Sequence, residues 1–182
     1  MLIGVDIGTG GTKALVLDGQ GRTLGEAFQE YGVLTPRPSW AEQWPDVWLE
    51  AVVAALKDVL ARSKLKPEEI AAVAISGLYG GSGVPIDKNG DPLRPCMIWM
   101  DRRARKETQW VKDNIPFDTI FAVTGNYVDS YYGFTKILWM KNHEPDLWRK
   151  TQQFVTPKDY VIYKFTDVLA TDYSSAGNIG GI

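Results

Sequence analysis

The sequence predicts an α/β domain in which a mixed sheet opens with an antiparallel meander and carries helices on its faces. Three observations lead there: short apolar runs joined by tight turns up to Tyr31, a long amphipathic segment after Pro45, and a further apolar run directly behind it.

Leu2 to Ile7 and Lys13 to Leu17 read as strands with a glycine turn between them. Asp18, Gly19, Gln20 and Gly21 supply a hairpin signal, so Thr23 to Tyr31 returns as a third antiparallel strand. Pro45 suits the first turn of a helix, and Asp46 complements the positive end of its dipole. Val47, Ala51, Val52, Ala55, Leu56 and Val59 then recur at helical spacing, and the helix should end near Ser63. Trp40, Trp44 and Trp48 are spaced by four, but Pro45 falls among them, so they are read as packing around the helix entrance. After a turn at Pro67, Glu68 and Glu69, the nearly all-apolar run Ile70 to Ile75 reads as a strand buried on both faces. Strand, helix, strand implies a crossover connection. Short apolar segments follow at Val84 to Ile86 and Cys96 to Met100, with helix formers over Arg102 to Lys112, Lys136 to Lys141 and Asp159 to Phe165.

Composition narrows the function. The 182 residues, 45% of them hydrophobic, supply one proper core, hence one domain or most of one. Twenty basic residues against 22 acidic ones leave a net charge of −2, which offers no field to hold a polyanion, so a nucleic-acid partner is disfavoured. Cys96 is the sole cysteine and can form neither an internal disulfide nor a cysteine metal cluster. With no secretion signal and no apolar run near the about 18 residues of a membrane span, the expectation is a soluble, cytoplasmic protein without a membrane partner. His143, the only histidine, lies in the polar run from Lys141 to Pro145 and is expected at the surface.

The chemistry concentrates in the first turn, Gly8, Thr9, Gly10, Gly11, Thr12 and Lys13. A turn of residues without Cβ lets a ligand approach backbone N–H groups closely, which suits an anion such as phosphate. Asp6, at the end of the first strand, can hold the water shell of Mg2+. Lys13 can offer a cation to a transferred phosphoryl group, and Thr9 and Thr12 add hydroxyls. The plain alternative is a glycine-rich hairpin in which Asp6 caps turn amides. The turn leads into a strand and lacks the Walker spacing, so it is not a P-loop.

Strand, glycine turn, strand, hairpin, strand resembles the ribonuclease H-like fold of actin-like ATPases and sugar kinases, whose first phosphate loop is similar to D-I-G-T-G-G-T-K here. Further segments resemble one branch, the FGGY carbohydrate kinases, and especially its xylulokinase-like members. They are Trp40 to Pro45, Ile75 to Gly77, Trp99-Asp101-Arg103 as W-x-D-x-R, Thr124 to Asn126, Thr135-Lys136, Pro157 to Tyr160, and Thr171 to Ser175. The resemblance implies ATP and Mg2+ as cofactors and a small sugar or polyol as substrate. It places Asp6 at the metal, and Gly8, Thr9, Gly10, Gly11, Thr12 and Lys13 at the phosphates. Tyr79, Gly80, Trp99, Asp101, Arg103 and Tyr131 fall at the sugar, with Trp99 as an indole wall. The alternatives are a packing role for the aromatics and a loop-fixing role for Asp101. Arg102 and Arg105 are read as a solvated face.

The resemblance breaks in two places. Where the xylulokinase pattern has glycine, glutamine, methionine, histidine, this chain reads Gly77, Leu78, Tyr79, Gly80, with one apparent extra residue through Gly81 to Gly83. The sugar-contacting histidine is missing, and so is the Arg-Glu pair of glycerol kinases, which leaves the acceptor open to a ketopentose or related polyol. The family also has a second domain that carries the proton-accepting aspartate and most adenine contacts. Residues 1–182 are therefore expected to be the N-terminal kinase domain, the C-terminal ATP-binding domain being absent and the fragment inactive alone; the complete protein could form a homodimer. The rival readings are a sugar-binding module without catalysis and an actin-like ATPase.

Overall fold

The structure is a computed structural model and describes residues 1–79 and 81–179. Strand β1 (Leu2–Ile7) pairs antiparallel with β2 (Gly11–Leu17), which sets Asp6 opposite Lys13 and Ile7 opposite Thr12. Strand β3 (Thr23–Glu30) runs back along β2 and completes the expected meander. The chain then passes through the short β4 (Glu42–Gln43) into α1 (Pro45–Ser63) and returns as β5 (Ala72–Gly77), parallel to β1. The sheet order is β3-β2-β1-β5.

Alternation explains the core. Ile3, Val5 and Ile7 of β1 point to the same side as Ala14 and Val16 of β2, and this face packs against Trp48, Val52, Ala55 and Val59 of α1, all buried. Each such Val or Ile side chain removed from water is worth about 1.5–3 kcal/mol. The even positions of β1 face the other way, Leu2 and Asp6 exposed and Gly4 partly so. Helix α1 begins at Pro45 and stops where Lys64 adopts a left-handed φ of 55°, so both ends fall where the sequence placed them.

The strand expected to be buried on both faces is not. It spans Ala72–Gly77 instead of Ile70 to Ile75, and most of it is open, with Val73 47% exposed. The reason is position: β5 is an edge strand of the four, α1 packs mainly over the meander, and Lys158 of helix α6 comes close to β5 at Gly77. An apolar run records what a strand tolerates, not which neighbour covers it.

Beyond β5 come β6 (Val84–Ile86), β7 (Cys96–Met97), α2 (Arg105–Asn114), α3 (Phe117–Thr124), α4 (Gly133–His143), α5 (Pro145–Lys150), β8 (Gln153–Val155), α6 (Pro157–Thr166) and α7 (Tyr173–Ile179). Strands β4 and β7 pair, as do β6 and β8. Helices α2, α4 and α6 match the expected segments, whereas the short α3, α5 and α7 carry no strong periodic signal in the sequence. Helix α2 starts three residues later than the helix formers suggest, because Asp101 and Arg103 are tied into a buried ion cluster ahead of it. Of the three tryptophans near the helix entrance, only Trp48 is core; Trp44 is exposed, and Trp40 packs edge-on against Trp139. Among the described residues no helix is long and apolar enough to cross a membrane.

Candidate functional site

The C-terminal ends of β1 and β5, the segment after β7 and the loop before α4 meet around an open groove of about 360 Å3. Asp6, Gly8, Thr9, Tyr79, Trp99 and Tyr131 line it together with Ile7, Gly77 and Leu78. Residues picked for phosphate and residues picked for sugar thus share one depression.

The phosphate side is a four-residue turn. Gly8 N–H donates to Gly11 O at 2.9 Å, so a Cβ on Gly8 would stand 2.9 Å from that same carbonyl. A Cβ on Gly11 would lie 2.7 Å from Gln29 O and closer still to the Phe28 ring. Both glycines are therefore required by close approach, and neither has positive φ. Gly10 differs, since nothing lies within 4 Å of where its Cβ would be. Among the described residues no backbone carbonyl takes the N–H of Thr9 or Gly10. Two amides in a turn open on one side suit an anion.

Buried side chains hold this turn from behind. Gln43 is almost wholly enclosed; its Nε2 donates to Thr9 O at 2.8 Å and Gly32 O at 3.1 Å, and its Oε1 accepts from Trp48 Nε1 at 3.3 Å. Tyr31 Oη donates to Gly8 O at 2.7 Å and lies 3.2 Å from Thr12 Oγ1. Thr12 is fully buried on the α1 side, so its side chain supports the loop and does not line the groove. Lys13 shares Asp6's face but pairs with Glu26 at 3.2 Å in an exposed contact, the kind that is readily given up.

Three aromatic rings form the opposite wall. Tyr79 and Tyr131 stack with centroids 4.8 Å apart, and Trp99 meets Tyr131 edge-on at 6.2 Å. The Trp99 indole is 36% exposed and donates from Nε1 to Thr9 Oγ1 at 2.9 Å. Burial pushes the Tyr79 phenol up, so it stays protonated at neutral pH. Lys136 fixes Tyr131: its buried Nζ donates to Tyr131 O at 2.7 Å, while Tyr131 N–H reaches Asp129 Oδ1 at 2.7 Å. Burial pushes the Lys136 ammonium down to about 8, against the opposing pull of Asp101. Thr135 Oγ1 donates to Asp129 O and Tyr132 O. The Thr135-Lys136 pair, noted only as a motif, is the clamp on the tyrosine loop.

Two sugar-site assignments need correction. Asp101 is fully buried; its carboxylate accepts from Ala41 N at 2.7 Å and from Arg103. The Arg103 side chain, 1% exposed, also reaches Glu42 Oε1 at 2.6 Å and lies 3.4 Å over the Trp40 ring. Neither lines the groove. Of the three defined residues in W-x-D-x-R only the tryptophan lines the groove, and the two charged residues brace the segment that carries it. Arg102, read as solvated, is partly exposed and makes an exposed pair with Asp129 at 2.6 Å while sitting 5.5 Å over Tyr131. Gly80 falls outside the described residues. His143 is half exposed, as expected, but its Nε2 lies 3.0 Å from Glu107 Oε1.

Asp6 can take Mg2+. It sits exposed at the groove, has no ion-pair partner among the described residues, and stands beside the two amides that suit phosphate. Among those residues no group of three His, Cys, Asp or Glu side chains could hold a metal by itself. A single carboxylate is nonetheless a fitting donor for Mg2+, which keeps several waters and takes other ligands from phosphate.

Residues 1–180 match the N-terminal domain of the FGGY family of carbohydrate kinases. The chain belongs to that family. It is 33% identical over 175 residues to the xylulose kinase of Staphylococcus xylosus, covering 96% of this chain and 36% of the relative. The xylulose kinase structure from Rhodospirillum rubrum superposes with a TM-score of 0.92 at 25% identity, over 99% of this chain and 37% of that one. A gluconate kinase structure from Lactobacillus acidophilus gives 0.91 at 26%, over 98% and 36%. This FGGY domain has the actin-like, ribonuclease H-like fold expected of it, and it spans about a third of the length of the curated relatives it matches.

Proposed function

We propose that the whole protein transfers a phosphoryl group from ATP, with Mg2+, to a hydroxyl of a small sugar or polyol, and that this domain supplies the acceptor wall and one phosphate loop. The observation that supports it is the convergence of Asp6 and Thr9 with Tyr79, Trp99 and Tyr131 on one groove. Phosphoryl transfer asks a protein mainly to position two reactants and offset charge. Bound Mg2+ would supply positive charge that offsets the negative charge of the phosphates. Asp6 would hold that ion through its carboxylate, and the Thr9 and Gly10 N–H groups would donate to phosphate oxygens. The aromatic rings cover the C–H faces of the acceptor and exclude water from its hydroxyls.

The proton acceptor is assigned to the family's second domain, since no residue here matches it. A purified 182-residue chain is accordingly expected to show no sugar phosphorylation, and measurable turnover by it would contradict the assignment. The deciding experiment offers the whole protein ATP with xylulose, ribulose, glycerol and gluconate and follows ADP. ATP hydrolysis indifferent to every acceptor would favour an actin-like ATPase; sugar binding without transfer would favour a binding module. Trp99→Ala is expected to raise the acceptor KM roughly 10- to 200-fold, the range for losing one well-packed contact. An unchanged KM would remove Trp99 from the wall.

A further inference from the structure

We propose that the hydrogen bond from Trp99 Nε1 to Thr9 Oγ1 couples the acceptor wall to the phosphate loop, so that a sugar against the indole and a nucleotide on the loop tighten each other's binding. The proposal rests on the kinase reading above and adds to it a positioning role for Trp99.

The bond spans 90 residues of sequence at 2.9 Å and joins the two halves of the groove directly. Each end is held by structure that leaves this link to set the side-chain geometry. On the wall, Trp99 follows Ile98, which is fully buried and donates from its N–H to Ala41 O at 3.1 Å. Two residues further on, Asp101 N–H closes a turn onto Ile98 O at 3.0 Å, and the Asp101 carboxylate is fixed by Ala41 and Arg103. The root of the indole is therefore rigid while its face is open. On the loop, Gln43 fixes the Thr9 carbonyl, and the Thr9 hydroxyl accepts from the indole.

An indole has one N–H, and here it is spent on Thr9. Trp99 therefore recognises an acceptor with its ring face and serves the loop with its nitrogen. A hydroxyl likewise has one proton, and accepting from Trp99 directs that proton away from the indole, so the position of the ring sets which way Thr9 can donate. An acceptor stacked on Trp99 restricts the ring and removes water beside the bond, which strengthens it and pre-orders Thr9 for phosphate. By linkage, phosphate on the loop must favour the acceptor by the same factor.

The test uses the whole protein and measures by calorimetry the Kd of the best acceptor with and without Mg2+ and a non-hydrolysable ATP analogue. Wild type is expected to show coupling of about 5- to 150-fold. Trp99→Phe, which keeps a ring but loses the donor, and Thr9→Val, which loses the hydroxyl, should each bring the factor near one. The double variant should be no lower than either single variant, and Thr9→Ser should restore wild-type coupling. A scaffold role alone would not give that rescue. Wild-type coupling retained by Trp99→Phe or by Thr9→Val overturns the proposal, as does a factor of one in a wild type that binds both ligands. A wild type that binds no acceptor fails the kinase reading itself, and the proposal falls with it.

Discussion

Asp6→Asn in the whole protein should cut sugar phosphorylation by about a hundredfold or more while leaving the fold intact. The carboxylate is exposed at the end of β1 and has no ion-pair partner among the described residues, so its loss removes no structural contact. A surface change of this kind moves stability by only about 0.5 kcal/mol. Catalytically, it removes the one charged group that the groove presents among the described residues, and losing a single aimed electrostatic contact typically costs about 100- to 1,000-fold in turnover. Raising Mg2+ should recover part of the rate. Steady-state kinetics across a Mg2+ series, with a melting curve of the same sample, would decide. Undiminished turnover at low Mg2+ would exclude Asp6 from the metal site.

Arg103→Ala should act in the opposite way, through stability. Its guanidinium is buried between Asp101 and Glu42 and capped by Trp40, with Trp139 5.0 Å from it. Removing it leaves two enclosed carboxylates without their shared cation, and breaking a buried pair from one side costs about 3–5 kcal/mol. Arg94, which also pairs with Glu42, offsets part of that for Glu42 but does not serve Asp101. Arg103→Lys should recover little, because an ammonium cannot reproduce the forked contact or the stacking. Denaturant unfolding measures this directly. Unchanged unfolding together with a large rise in acceptor KM would restore Arg103 to the sugar site.

The sequence spoke clearly where a signal is local. The hairpin at Asp18 to Gly21 and the helix from Pro45 to Ser63 follow from turn chemistry and spacing that need no knowledge of distant neighbours. Asp6, Thr9 and Trp99 were legible because the family motifs fix their order along the chain, and they do face one groove. Asp101 and Arg103 were misplaced for the same reason: a motif says which residues travel together, not whether each touches a ligand or holds up one that does. Gln43, Tyr31 and Lys136 do their work through backbone carbonyls 34, 23 and 5 residues away. Gln43 and Lys136 stand inside recognised motifs, but nothing in the sequence says that their side chains reach these carbonyls, and Tyr31 carries no such signal. The exposure of β5 could not be read at all, because it depends on which strand lies outermost.

The two sides of the groove differ in how far apart along the chain their contacts lie. The turn from Gly8 to Gly10 closes a local hairpin, which can assemble early at small entropic cost. Tyr79, Trp99 and Tyr131 arrive from remote stretches, so their rings meet the turn only once the long-range contacts of the domain are made. On the proposed function, partial opening of the later segments would leave the turn intact without its aromatic wall, so selectivity for an acceptor would fade before affinity for phosphate did.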